Sequence, residues 1–249
     1  LRPLLSVVVP VRNEGCSLRV LLKVLRAVVE VPHEVLIVHD TPSDDSIPVI
    51  QEFGDPRVQA VHNTYGPGVA HAIRAGVDRA SGEHVLIYAA DEVGPILAID
   101  TMLDLMRRGC ALVSCTRYAR GGRRLGGSWV GGILSRIANR MFRVITGFPL
   151  TDATTGIKMF RRDLLGGIRL EAAPVGWAVA FELAIKVHLA GFQMGEVPII
   201  SIDRLFGGTS TFRLGPWTWE YLRWFRWGVR EMRSPSKQRR VFPELLSLD

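Results

Sequence analysis

Cysteine is scarce in this chain. Cys16, Cys110 and Cys115 are odd in number and follow no zinc-ligand or dithiol spacing, so neither a disulfide framework nor a Cys-based metal or redox site is expected. They read as core or surface thiols, and a reducing cytoplasm is the natural compartment. No apolar run reaches the roughly 20 residues that cross a bilayer, and the first residues lack the charged-then-apolar pattern of a secretory leader. The expectation is a chain that is neither secreted nor membrane-spanning. Internal repeats and low-complexity tracts are absent as well. Gly66 and Gly68 precede a helical pattern, but the full dinucleotide signature is missing, which argues against a Rossmann cofactor. Negative charge is in the minority: 31 Lys and Arg against 24 Asp and Glu leave a formal charge of +7. That balance favours an anionic partner, whether nucleic acid, a lipid headgroup surface or a phosphate-bearing substrate. No nucleic-acid-binding module is visible, so no nucleic-acid partner is expected.

What is present is a regular alternation. Apolar, β-branched runs recur at 4–10, 34–40, 57–63, 83–89 and 110–116, each bounded by turn residues. Between them lie helical patterns, one marked by Leu18, Leu21, Leu22, Leu25, Val28 and Val29, another by Val69, Ala72, Ile73, Gly76 and Val77. Strands that are apolar on both faces and alternate with helices predict an α/β domain with a mostly parallel central sheet flanked by helices. In such sheets ligands gather beyond the carboxyl ends of the strands. The loops to inspect are therefore 11–15, 40–46, 63–68, 89–95 and 116–122. Length and composition suit a single α/β domain over 1–215.

The second half changes character. Residues 128–148 form an amphipathic pattern with Ile133, Ile137, Met141 and Ile145 on one side and Arg136, Arg140 and Arg143 near another. A further helix is predicted at 177–190 and a strand at 194–202. Over 216–233, Trp217, Tyr221, Trp224 and Phe225 make an aromatic stripe beside Arg223, Arg226, Arg230 and Arg233, a pattern suited to a helix lying in a membrane interface. The tail, 234–249, reads as loose structure.

Seven segments in order carry a resemblance: VVPVRNEG, IVHDTPSDDS, GPGVAHAIRAGVDRASGEHVLI, AAD, TRY with GG, TDATTGIKMF, and GEVPI followed by DR and GGTS. The series, running from about Ser6 to Phe212, resembles family-2 glycosyltransferases, and most closely their dolichyl-phosphate mannose synthase and polyprenyl-phosphate hexosyltransferase branch. The resemblance implies a GT-A fold and an inverting transfer of hexose from GDP- or UDP-hexose to a polyprenyl phosphate. It implies work at the cytoplasmic face of an anionic membrane surface by a peripheral protein. Pro10, Arg12, Glu14, Asp40, Ala90 and Asp91 would bind the nucleotide sugar. Asp91, Arg117 and Arg204 would carry the chemistry, with Asp91 as ligand to Mg2+ or Mn2+. Asp152, Thr155 and Glu182 would lie on the acceptor side.

The departures from the family pattern are as specific as the matches. Where the family has Asp-x-Asp with a glutamine two residues on, this chain has Ala89, Asp91 and Val93, so one carboxylate of the pair remains. Ala178 and Ser210 stand where lysines are common, Arg12 replaces a usual tyrosine and His39 a usual aspartate. Arg12 or His39 could supply charge in place of metal ligands, or both could face solvent. Asn13, Asp40 and Asp44 could be turn formers and caps, Asp152 a cap, and Glu182 a partner for a buried arginine. Two further readings stay open: a family-2 enzyme with a glycan acceptor, and a catalytically impaired binder of nucleotide sugar or lipid phosphate.

Overall fold

The computed structural model describes residues 2–202, 214–234 and 243–246. The apolar runs form strands β1 (Leu5–Val11), β2 (His33–His39), β3 (Val58–His62), β4 (His84–Ile87) and β5 (Leu112–Thr116). Helices α1 (Gly15–Val28), α2 (Ser46–Phe53), α3 (Val69–Arg79) and α4 (Ile99–Arg107) connect them. Each of these helices turns one apolar stripe to the sheet; in α1 the buried positions include Leu18, Leu21, Leu22 and Leu25, the spacing of one helical face. β1 and β2 are buried along almost their whole length, because helices cover both sides of the sheet.

Two strands complete the sheet: β7 (Lys158–Arg161) and β8 (Met194–Pro198). The strand order is β3-β2-β1-β4-β7-β5-β8. All neighbours pair in parallel except β7, which runs antiparallel to both β4 and β5. Six strands therefore end at one edge of the sheet. The connections leave β1 toward β2 on one side and return to β4 on the other, so the topological switch point, where ligands collect, lies between β1 and β4.

The stretch 194–202, expected as one strand, is two. Pro198 closes β8, and Ile199 divides its backbone groups: its N–H donates to Thr116 O, while its carbonyl accepts from Arg123 N. The chain then continues as β9 (Ile200–Ile202) in a small separate parallel sheet with β6 (Arg123–Leu125). Helices α5 (Trp129–Thr146), α6 (Ala178–Leu189) and α7 (Leu214–Met232) form the second layer beyond the main sheet. α6 is buried nearly all round. Phe142 of α5 binds the three helices together, its ring meeting Phe148, Phe181 and Phe225 edge to face at 5.3, 5.0 and 5.2 Å.

Part of the C-terminal segment, read as loose in the sequence, is instead paired. Leu246 donates to Met194 O and its carbonyl accepts from Glu196 N. The physical reason is that β8 is an edge strand, whose outward N–H and C=O groups need partners.

Candidate functional site

The shared strand edge gathers most of the residues singled out in the sequence. Pro10 is the penultimate residue of β1, and Arg12 and Glu14 follow it. Asp40 follows β2, Ala90 and Asp91 follow β4, and Arg117 follows β5. From β2 to β5 is four strand spacings, about 19 Å, a span that takes an extended sugar nucleotide and a second phosphate. Arg204 lies outside the described residues, as does the GGTS stretch with Ser210.

On the β2 side the acidic loop builds the rim. Asp44 is buried; its carboxylate accepts from Asn13 N at 3.0 Å and from Ser46 N at 2.9 Å. Asp45 accepts from Gly15 N at 2.8 Å. These bonds hold the turn after β1, in which Asn13 takes a left-handed φ of 56°. Asp40 accepts from Asn63 Nδ2 at 2.8 Å and Gly68 N at 3.0 Å, so it braces the loop between β3 and α3. Gly68, at φ 119°, passes so close to the chain that a Cβ there would lie 2.1 Å from Pro174 O. No other residue fits that approach. The result is that 171–176 roofs the edge next to Asp40.

Arg12 and His39 part company. Arg12 is exposed at the rim. His39 is buried, its Nδ1 2.9 Å from Thr41 O and its ring 5.4 Å from that of His62, so the solvent-facing option is excluded for it. Held this way beneath the loop, it shapes the 40–46 turn.

Beside β4, Ala90 is buried and Asp91 is partly exposed at the switch point. Glu92 is turned toward β9, where Ser201 Oγ donates to it at 2.5 Å. Among the described residues no cluster of three or more His, Cys, Asp or Glu could hold a metal ion. Asp91 alone still matches the chemistry of a hard divalent ion, which commonly takes one or two carboxylates and draws its other ligands from phosphate and water.

On the β5 side the chain brings together residues that the sequence had assigned to different roles. Arg117 makes a two-pronged pair with Asp152, Nε to Oδ2 at 2.7 Å and Nη2 to Oδ1 at 3.1 Å, and its backbone N–H donates to the same carboxylate at 3.3 Å. Asp152 is fully buried, so it is an ion-pair partner and not a helix cap. Burial opposes both charges. The mutual attraction and hydrogen bonds outweigh it, raising the Arg117 pKa and lowering that of Asp152. Thr154 Oγ1 donates to Asp152 at 3.0 Å and accepts from Asn139 of α5 at 2.9 Å. Thr155 is buried and caps its own turn, accepting from Ile157 N at 3.5 Å.

Beneath this pair lies Lys158 of β7, fully buried, its Nζ donating to Ser114 Oγ at 2.8 Å. Burial pulls its pKa down to about 8, with Asp152 the largest opposing influence. Glu196 of β8 is also buried and accepts from both the N–H and the hydroxyl of Thr151, at 2.9 and 3.0 Å; burial raises its pKa. Lys158 and Glu196 were not singled out by sequence reasoning. The available signal was a lysine inside an apolar strand pattern, IKMF, at the end of TDATTGIKMF.

Glu182 is not the partner of a buried arginine that its sequence context allowed. Its carboxylate accepts from Glu171 N and Ala172 N at 2.6 and 2.7 Å and pairs with Lys186, not with an arginine, at 2.7 Å. With Glu220, which accepts from Ala173 N at 2.8 Å, it ties the 171–173 segment to α6 and α7. Trp217 of α7 then packs on Gly176, and Trp177 on Gly156.

Known proteins share this sequence and shape. The chain is 30% identical over 209 residues to the polyprenol monophosphomannose synthase of Mycolicibacterium smegmatis, covering 81% of this chain and 78% of the relative. It is 25% identical to the dolichol-phosphate mannosyltransferase of Pyrococcus furiosus over 88% of this chain, but spans only 61% of that longer protein. Among solved structures, glucosyl-3-phosphoglycerate synthase from Mycobacterium tuberculosis, in complex with Mn2+, UDP and glucosyl-3-phosphoglycerate, superposes with a TM-score of 0.71 at 17% identity, covering 92% of this chain and 80% of the other. The same enzyme with Mg2+ and UDP gives a TM-score of 0.70 at 19% identity over the same shares. These likenesses identify the fold as GT-A. Residues 6–169 match the family model described as glycosyl transferase family 2, and the chain belongs to that family.

Proposed function

We propose that this chain transfers a hexose, with inversion, from GDP- or UDP-hexose to a polyprenyl phosphate. An oxygen of the acceptor phosphate attacks the anomeric carbon; the bond from that carbon to the diphosphate oxygen breaks, and the nucleoside diphosphate leaves with the electron pair. A phosphate acceptor is already anionic near neutral pH and needs positioning more than a general base. This agrees with Asp40, Asp44, Asp45 and Asp152 being taken up by backbone N–H groups, Asn63 and Arg117.

Asp40 and the turn it braces border the nucleotide side, together with Pro10, Arg12 and Glu14. Asp91 would hold Mg2+ or Mn2+, which supplies positive charge to the departing diphosphate. Arg117, fixed in orientation by Asp152, keeps N–H groups for a phosphate oxygen, and Arg204 is proposed as a second cation. Thr155 and Glu182 support the acceptor side through the loops they hold. Among the described residues no helix is long and apolar enough to cross a membrane. α5 exposes Trp129, Val130, Leu134 and Val144, and α7 exposes Trp219, which suits a protein resting on a cytoplasmic membrane surface.

The observation that carries this reading is the strand edge bearing Asp40, Asp91 and Arg117 astride the β1/β4 switch point, in a chain related to a polyprenol monophosphomannose synthase. Incubating the purified chain with a panel of GDP- and UDP-hexoses, polyprenyl phosphate and Mn2+ is expected to yield a lipid-phosphate hexose. Asp91→Asn is expected to lower turnover by about a hundredfold or more, the scale of losing one electrostatic stabiliser. Transfer to a glycan in preference to the lipid refutes the acceptor assignment. A second reading draws on Ala89 and Val93, which leave the metal a single family carboxylate: donor binding with no transfer to any acceptor would make the chain a binder.

A further inference from the structure

The outer face of α7 carries an open-sided groove of about 500 Å3, lined by Glu171, Trp219, Leu222, Arg223, Arg226 and Arg230 among others. The α7 residues fall at the three-and-four spacing of one helical face. The opposite face is buried through Glu220, Gly228 and Met232, while the rings of Trp224 and Trp227 reach from the flank into the groove. The groove is thus not part of the strand edge described above. It is linked to that edge through the 171–176 segment, which Glu220 holds at Ala173 and which abuts Gly68 at Pro174.

We propose that this groove is a headgroup site for the anionic phospholipids of a bilayer, with Arg223, Arg226 and Arg230 donating hydrogen bonds to the phosphate. The proposal rests on the reading of the chain as a membrane-surface enzyme and adds a defined site to it. Charge complementarity is the first argument. Glu171, the one carboxylate among the described lining residues, is paired with Lys186 at 2.7 Å. Arg223 and Arg230 have neighbours in Glu220 and Glu231, at 3.0 and 3.2 Å, yet both remain more than half exposed. Among the described residues no carboxylate pairs with Arg226. Guanidinium groups offer paired N–H donors that match phosphate oxygens.

The second argument separates a bilayer from a nucleic acid. Trp219 is 69% exposed beside the arginines. α5, which packs on α7 where Phe142 meets Phe225 and Gly228, exposes Ile137, Met141 and Val144. Aliphatic side chains find no partner on a phosphate backbone but insert into the acyl boundary, where tryptophan also prefers to sit.

The test uses the full chain and vesicles of phosphatidylcholine with and without phosphatidylglycerol, read by co-sedimentation. Tight binding is expected only with phosphatidylglycerol. The R226Q/R230Q variant is expected to bind about thirtyfold more weakly, about fivefold for each arginine removed near an anionic surface. R226K/R230K, which keeps charge but not the fork, is expected to recover only part of that loss. Turnover with detergent-dispersed polyprenyl phosphate should be the same in the variants as in the unaltered chain, which also shows that they fold. Equal vesicle binding by the glutamine variant, full recovery by lysine, or tighter binding to a single-stranded oligonucleotide than to the vesicles overturns the proposal. A chain that binds these vesicles through the arginines but transfers no hexose leaves the groove standing and removes the enzymatic reading; transfer with arginine-independent vesicle binding does the reverse.

Discussion

Replacing Asp152 by asparagine removes a charge while keeping the shape of the side chain, and the structure sets the size of the effect. Two side-chain bonds from Arg117, at 2.7 and 3.1 Å, end on a carboxylate that has no exposed surface. Charge-assisted bonds of this kind contribute roughly 1.5–3 kcal/mol each, and breaking one partner of a buried pair costs about 3–5 kcal/mol. Here the cost falls within that range, and Lys158 also loses the carboxylate that most offsets its burial. The expected loss is about 4 kcal/mol. At roughly 2–4 °C per kcal/mol for a chain of this size, Tm falls by about 8–16 °C. Urea and thermal unfolding measure this directly. A cycle that adds Arg117→Met and the double variant should return a coupling of at least about 2 kcal/mol, since removing both charges is milder than removing one. The pH dependence has a definite sign. Asp152 has a lowered pKa in the folded chain, so its contribution is complete above the ordinary carboxylate range and is lost as pH falls through and below it. The gap between the two proteins should therefore close only in strong acid. A loss below about 1 kcal/mol near neutral pH would refute the view that this pair organises the β5 side of the site.

Two further outcomes test the frame around the site. His188 is buried against the ring of Phe148, and burial lowers its pKa to about 4. The unfolded chain therefore binds the extra proton first as pH falls, so stability present above about pH 6.5 drops by about 2–3 kcal/mol on reaching pH 4.5. His188→Leu should remove that acid-dependent part, measured as the difference in Tm between pH 7 and 4.5; an unchanged difference sinks it. Phe142→Ala empties the centre of the aromatic cluster among α5, α6 and α7, and should cost about 3–5 kcal/mol in urea unfolding. A loss near 1 kcal/mol would mean that α7 docks by other means.

The legible part of this protein was the part written in local periodicity. The runs ending at Pro10, Asp40 and Ala89 are apolar on both faces, and only a covered parallel sheet accommodates them. From that, the sequence order of turns already placed Arg12, Asp40, Asp91 and Arg117 at strand ends. The strand β7 was harder to read, because four residues with a lysine at one end carry no clear period of two. The edge-strand pairing of Leu246 was invisible for a related reason: one bridge to a distant strand leaves no repeating pattern in the segment itself.

Side-chain partnerships across long separations belonged to the tertiary structure alone. Arg117 and Asp152 are 35 positions apart, and Asp40 and Gly68 are 28 apart. Neither pairing is encoded by spacing along a helix or strand, because each depends on which strands become neighbours in the sheet. The same holds for the loop N–H groups of Glu171 and Ala172 that Glu182 accepts from, whereas its pairing with Lys186, one helical turn on, follows from helical spacing. Local residue order determined that charged loops would sit at the strand ends. The packing of non-adjacent strands decided which of those charges face a ligand and which hold one another.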